Sequence, residues 1–360
     1  MTIDADIDRT SVPAVIGHTA FGADLAVARH SGRMHHAWLL TGPHGIGKAS
    51  AALEAAAWLM AENEPVTMFD DEPPAFEIDP HDTGTNLVFN GAHPDLMVIR
   101  PALEDNKSGQ IKIDQIRGLV PFMMHKPGRG GWRVAIVDAM DQVNRNGANA
   151  MLKFLEEPPE KTVMFLICAR PGRLPPTIRS RCRLVRMSAL DPTACQSVLE
   201  GIWPEADATQ IDLLTKLSEG APGRAVMLAE SGTADCYQAA CAILSADRLD
   251  VPALASICGK WGQGSAAGKA SRDGAIILLE RLLRGAALFS ATGQSALQNV
   301  TFCDFEKRVI DALCMRHSAE MLASMQSKFS REAARAEGLY ADFGHFLLRQ
   351  ITEFHRKSLP

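Results

Sequence analysis

Residues 133–182 read RVAIVDAMDQVNRNGANAMLKFLEEPPEKTVMFLICARPGRLPPTIRSRC. Val134 to Asp138 is an apolar run closed by an acid, the pattern of a buried strand. Ala148, Met151, Leu152 and Leu155 follow at i, i+3, i+4 and i+7 and predict one face of a helix. Glu156-Glu157-Pro158-Pro159 ends that helix, because proline cannot continue it. Thr162 to Cys168 is a second apolar strand, followed by a proline-rich turn and the triplet Ser180-Arg181-Cys182.

The same alternation extends upstream. A polar entry leads to a helix around Gly22 to His30, a strand at His36–Thr41 and an alanine-rich helix at Ala49–Met60. Glu62 to Asp82 is acidic and proline-containing and reads as a surface insertion. Asp95 to Arg100 is a strand. Ile116, Leu119, Val120 and Met123 mark a helix face with Asp114 near its start. Strands alternating with helices imply a parallel sheet covered on both faces. After Ser188 only helical patterns remain: Cys195–Leu199, Ile211–Leu217, Pro222–Leu228, Tyr237–Leu244, Ile276–Leu288 and Gly344–Phe354. The expected division is an α/β core over 1–188, a helical lid over 189–240 and an all-helical collar over 241–360.

Bulk properties narrow the function. With 46% hydrophobic residues, the 360-residue chain has the composition of a soluble protein of two or three domains. Its 37 basic and 42 acidic side chains argue against a surface that grips nucleic acid all over. No apolar run is long enough to span a membrane, and the acidic start MTIDADIDRT is not a signal peptide. None of the eight cysteines forms a CxxC pair, so neither zinc nor a disulfide framework is expected, and the cytoplasm is the expected location.

Gly42-Pro43-His44-Gly45-Ile46-Gly47-Lys48-Ala49 follows a strand and opens a helix, as a phosphate loop does. Gly42, Gly45 and Gly47 would let backbone N–H groups turn toward phosphate, and Lys48 would reach the outer phosphates. The loop, the acid Asp138, the LEEPP helix end and the SRC triplet together resemble the nucleotide-binding core of AAA+ clamp-loader ATPases. The resemblance covers residues 12–230. It implies a P-loop α/β core, a lid and a collar, and a role in loading a sliding clamp onto primed DNA.

Three positions depart from active members of that family. Ala49 stands where Ser or Thr would hold magnesium, and Ser50 is one helical step, about 100°, away. The acidic strand ends Asp138-Ala139-Met140-Asp141, with Ala139 in place of the catalytic glutamate. The next strand ends Cys168-Ala169-Arg170, without the polar sensor. Phosphoryl transfer depends on positioning by such groups, so little or no hydrolysis is expected. Weak ATP or ADP binding through Gly42, Gly45, Gly47, Lys48, Asp138 and Arg224 and a plain strand–helix connector both remain open.

The SRC triplet is intact. The resemblance implies that Arg181 is an arginine finger completing a neighbour's ATP site; the alternative is a structural ion pair. Arg224, in Glu219-Gly220-Ala221-Pro222-Gly223-Arg224, resembles the family's second sensor, with a packing role as the alternative. A degraded site beside an intact SRC implies a non-catalytic stator of the DNA polymerase III clamp loader. Its implied partners are gamma/tau motor subunits and a delta subunit in a hetero-pentamer, and the clamp and primed DNA through the complex. The alternative is an active ATPase subunit of the gamma/tau type, using Ser50 or Asp141. A third reading, a separate nucleic-acid binder, needs the collar residues Lys260, Lys269, Arg272, Arg281, Arg284, Lys307, Arg308 and Arg316 to gather into a stripe. The family's usual four-cysteine zinc module after the P-loop helix is absent, because residues 61–82 hold no cysteine.

Lesser features have plainer readings. His35, His36 and His44 read as surface or turn residues. Met123, Met124 and Met140 read as core filling. Val15-Ile16-Gly17-His18 resembles a family box that lies near adenine, and Lys112 to Arg117 is a strand end entering a helix. Arg179, Arg183 and Arg186 read as solvated or facing a partner's acids.

Overall fold

Five short apolar runs pair side by side in the computed structural model, which describes residues 16–62, 73, 75–101, 111, 113–128, 131–263, 266–293, 302–338 and 342–356. They are β1 (Ala37–Thr41), β2 (Leu96–Ile99), β3 (Arg133–Val137), β4 (Thr162–Cys168) and β5 (Arg183–Arg186). All pairings are parallel and the order is β2-β3-β4-β1-β5. Strands β1, β3 and β4 are buried at every position, because helices cover both faces of the sheet. Helix α1 (Thr19–His30) precedes β1, and α2 (Lys48–Met60) and α3 (Thr83–Phe89) follow it. Helix α4 (Ile113–Met124) lies between β2 and β3, and α5 (Arg145–Ala150) and α6 (Leu152–Glu156) between β3 and β4. Helix α7 (Pro176–Arg179) precedes β5, and α8 (Pro192–Ile202) follows it.

The period of two along each strand sorts the core into two layers. Trp38 and its register partner Phe165 face one side, where Phe21 of α1 meets both rings edge-on at 5.8 and 6.0 Å. Leu39 and its partner Leu166 face the other, among Ile116, Leu119 and Met123 of α4 and Phe154 and Leu155 of α6. A buried ion pair closes the start of two strands. Arg133 of β3 meets Asp95, just before β2, at 2.6 Å and also donates to the Phe122 and Lys126 carbonyls.

Several local expectations need correction. The single helix expected across Ala148–Leu155 is two, α5 and α6, joined at Met151. There the Met151 N–H bonds the Ala148 carbonyl, a tighter i−3 turn. That turn shifts the helical phase, so Phe154 fills the core and Leu152 is only partly buried. Met123 and Met140 are buried, but Met124 is 38% exposed, since it lies off the α4 core face. Strand β5 was hidden by its composition: a four-residue edge strand with arginine at both ends resembles a solvated turn. Arg183 is not simply solvated; it pairs with Asp24 at 3.0 Å and lies over the Trp38 ring.

Within the acidic stretch, residues 63–72 and 74 lie outside the described residues, as do Val15 and Lys112. The stretch does not end as a loose surface insertion. Asp82 is buried, accepts the Thr85 N–H as the cap of α3, and accepts the Glu62 N–H. Backbone donors at a helix start and at the end of α2 hold this carboxylate in the interior.

By internal contacts the chain forms two compact units, one running to Pro204 and the other from Glu205 to Pro360. Helix α8 falls in the first. The second holds α9 (Ala208–Ser218), α10 (Pro222–Glu230), α11 (Thr233–Ser245), α12 (Val251–Trp261), α13 (Ala266–Thr292), α14 (Asp304–Arg316), α15 (Ala319–Gly338) and α16 (Phe343–His355). The long α13 packs on α10, α14 and α15. No helix among the described residues is long and apolar enough to cross a membrane.

Candidate functional site

The carboxyl ends of β1, β3 and β4 lie side by side, the edge where open α/β sheets bind ligands. Each presents one of the sequence-derived segments: the Gly42–Lys48 loop after β1, Asp138 after β3 and Cys168 at the end of β4. Gly45 and Gly47 adopt φ of 79° and 94°, a left-handed region that favours glycine. A Cβ on Gly42 would come within 2.2 Å of the Met187 carbonyl, so no larger residue fits without backbone movement.

Lys48 does not point outward. It is buried, and its ammonium donates to the Gly42 carbonyl at 2.8 Å and to the Pro43 carbonyl. Burial lowers its pKa, opposed by Asp138 and Asp141. Beside the loop, the His18 ring hydrogen-bonds the Ile46 carbonyl at 2.7 Å, tying the Ile16-Gly17-His18 turn to it. An open, mostly apolar groove of about 750 Å³ adjoins His18, between α1, α2 and residues 73 and 75–78.

Across the sheet edge, burial raises the Asp138 carboxyl, against the pull of Arg100 and Lys48. Ala139 adopts φ 74° and ψ 55°, a strained conformation for a residue with a side chain. The chain then turns through Met140–Gln142, and Asp141 reaches back to β4. Its carboxylate accepts the Ala169 N–H at 3.4 Å and lies 3.7 Å from the Arg170 guanidinium, with only 2% of the side chain exposed. Asp141 thus staples two strand ends together. Burial, with Asp141 adding, pushes the neighbouring Cys168 thiol up to about 11. Asp138 and Asp141 both act on the loop lysine, and Ala49 and Ala139 offer neither a hydroxyl nor an acid. Among the described residues no group of three His, Cys, Asp or Glu side chains could hold a metal ion.

Arg181 lies on the surface between α6 and α7. One terminal nitrogen donates to the Thr177 carbonyl at 3.0 Å; the other meets the Glu156 carboxylate at 2.9 Å. The two side chains are 36% and 50% exposed. The ion-pair alternative is therefore present in the fold, and its partner is the first glutamate of LEEPP. A pair this exposed is worth at most about 1 kcal/mol, so it does not fix Arg181 permanently.

Arg224 is differently committed. Glu219, itself left-handed at φ 51°, receives Arg224 at 3.1 Å, Arg281 at 3.1 Å and Arg284. Arg281 also grips Glu306 through two nitrogens, at 2.9 and 3.2 Å. Glu306 accepts the Tyr237 hydroxyl at 3.1 Å and the Cys303 N–H at 2.8 Å. The packing alternative for Arg224 thus has a physical basis in a network joining α10, α11, α13 and α14. Arg281 and Arg284 serve this network, Arg272 and Arg316 donate to backbone carbonyls, and Lys307 pairs with Asp304. His35 and His36 are half-buried and stacked on each other at 4.6 Å.

Sequence reasoning missed Glu156, Asp141, Glu219 and Glu306 as partners. Glu306 alone carried a local signal: it lies three residues after Cys303, the spacing of a capping box with a thiol at the cap.

Residues 17–191 match the family model described as "DNA polymerase III, delta subunit". DNA polymerase III subunit delta' of Pseudomonas aeruginosa is 36% identical over 189 residues, covering 52% of this chain and 53% of that protein. DNA polymerase III subunit tau of Escherichia coli is 29% identical over 61% of this chain and 32% of its own length. The chain thus spans about half or less of these two curated relatives. A gamma-subunit-related protein from Thermotoga maritima covers 89% of this chain and 94% of its own at 17% identity and TM-score 0.39, a likeness too low to carry an argument. Over residues 17–191, which hold the sheet, the glycine-rich loop and the SRC triplet described above, this chain matches the family model described as DNA polymerase III, delta subunit.

Proposed function

We propose that this protein is a non-catalytic, delta-prime-type stator subunit of the bacterial DNA polymerase III clamp loader. One observation carries the reading: the chain keeps a surface arginine in SRC while lacking the groups its own phosphate loop would need. Ala49 and Ala139 remove the metal-side hydroxyl and the general base, and Lys48 is turned onto its own loop carbonyls. Arg181 is held by an exposed ion pair that leaves other guanidinium donors open to a phosphate. In this reading Arg181 enters the ATP site of an adjacent gamma/tau motor subunit and stabilises charge developing on the transferred phosphoryl group. The subunit shares a hetero-pentamer with motor subunits and a delta subunit, and the complex loads the sliding clamp onto primed DNA in the cytoplasm. Residues 189–240 act as the lid and 241–360 as the collar. Any nucleotide bound at Gly42, Gly45, Gly47, Lys48 and Asp138 is held weakly and not hydrolysed, and Arg224 serves packing.

The test is clamp- and DNA-stimulated ATPase of the reconstituted loader with this subunit wild type or Arg181→Ala. Turnover at the neighbouring site falls by about 10³ or more while the complex still assembles. Unchanged turnover in an intact complex overturns the reading. The likeness to tau supports a second reading, an active gamma/tau-type ATPase. Turnover by the purified chain alone would favour it.

A further inference from the structure

We propose that Glu156 is the positioning residue for Arg181, holding its guanidinium at the subunit surface for a phosphate contributed by a neighbouring chain. The proposal rests on the reading of Arg181 as a finger acting in trans. Its basis is a junction between two segments that lie 25 positions apart in sequence. Glu156 ends α6 and Arg181 follows α7, and their charged groups meet at 2.9 Å. Both helices are anchored in the interior. Phe154 and Leu155 precede Glu156, Ile178 precedes Arg181, and all three are buried in the same core cluster. The carboxylate is therefore carried on a fixed base.

Arg181 is held at a second point by the Thr177 carbonyl, four residues earlier, at 3.0 Å. The two acceptors take one N–H from each terminal nitrogen and define the plane of the guanidinium. An unrestrained surface arginine samples many rotamers, and each must be surrendered when it docks on an anion. Held on two sides, Arg181 loses less of that freedom. The planar fork has five N–H donors, so a second anion can be met while Glu156 keeps its contact. One-third exposure leaves the group within reach of a partner. Glu157, the next residue, is exposed and makes no described contact with Arg181.

The experiment uses the reconstituted loader with the full-length subunit, in clamp- and primed-DNA-stimulated ATPase. It compares wild type, Glu156→Ala, Glu156→Gln, Arg181→Ala and the Glu156→Ala/Arg181→Ala double variant. Glu156→Ala lowers kcat about two- to fivefold, the worth of an exposed ion pair, with KM for ATP unchanged. Glu156→Gln keeps an acceptor oxygen and the shape of the side chain, and recovers part of the loss. The double variant matches Arg181→Ala, because Glu156 acts only through the arginine. Wild-type kcat in Glu156→Ala, or a further loss on top of Arg181→Ala, overturns the proposal. If Arg181→Ala lowers turnover and Glu156→Ala does not, only the positioning role fails. If Arg181→Ala itself has no effect, the finger reading fails and the positioning role with it.

Discussion

Glu306→Ala should destabilise the 205–360 unit by about 3–5 kcal/mol, the cost of breaking a buried pair by removing one partner. Glu306 is fully buried and accepts four hydrogen bonds, two from Arg281 and one each from Tyr237 and Cys303. Its removal leaves a guanidinium that is 1% exposed with Glu219 as its other described carboxylate, at 3.1 Å. It also strips the Cys303 N–H of its cap at the start of α14, which alone costs about 1 kcal/mol. For a unit of about 150 residues the whole loss corresponds to a melting temperature roughly 6–20 °C lower. Calorimetry of the full chain should compare wild type, Glu306→Ala, Arg281→Met and the Arg281→Met/Glu306→Leu double variant. The double variant removes both charges and should regain most of the loss, leaving about 1–3 kcal/mol for the Tyr237 hydroxyl without its acceptor. The reasoning is refuted if Glu306→Ala costs less than about 1 kcal/mol, or if the double variant is no more stable than the worse single one.

The same network should make this unit sensitive to acid. Burial pushes the Glu219 carboxyl up, but Arg281, Arg284 and Arg224 outweigh it and hold it below its ordinary value of 4.5. The unfolded chain then binds the proton more readily, so the stabilisation is complete above about pH 4.5 and is lost as pH falls through the lowered value. Urea midpoints between pH 7 and pH 3 should drop more steeply for wild type than for Glu219→Gln; parallel curves would show that Glu219 is not the sensitive group. Thiol reactivity gives a separate check on the core. Burial pushes Cys182, Cys258 and Cys303 up to about 12, and Cys168, with Asp141 adding, to about 11. Cys236 and Cys314 are only half-buried. At pH 8 a thiol reagent should modify these two first and the buried Cys168, Cys258 and Cys303 only as the protein unfolds; labelling of Cys168 at the rate of Cys236 would contradict this placement.

Much of the α/β core was legible because its signals are local. A fully buried parallel strand must be apolar at every position, so Thr162–Cys168 was delimited to the residue. The glycines of the loop were legible because backbone geometry demands them: φ at Gly45 and Gly47 is positive, and Gly42 abuts the Met187 carbonyl. The absences at Ala49 and Ala139 are plain in the sequence, since no fold can supply a hydroxyl or carboxylate that the side chain lacks. Strand β5 was not legible, because a short edge strand between two arginines carries no apolar period. The break at Met151 was not either, because one tightened turn changes which residues face the core.

The sequence by itself determined which chemistry each position can offer: a glycine-rich loop before Lys48, no hydroxyl at Ala49, no carboxylate at Ala139 and the SRC arginine. Only the tertiary structure decided what those groups touch. It turned Lys48 onto its own loop, set Asp141 across two strand ends, joined Arg181 to Glu156, and gathered Arg224, Arg281 and Arg284 on Glu219. These partners lie up to 65 positions apart along the chain, as Glu219 and Arg284 do. Ion pairs and hydrogen bonds act over a few ångströms of space, and no periodicity along the sequence encodes which distant charges the fold will bring within that reach.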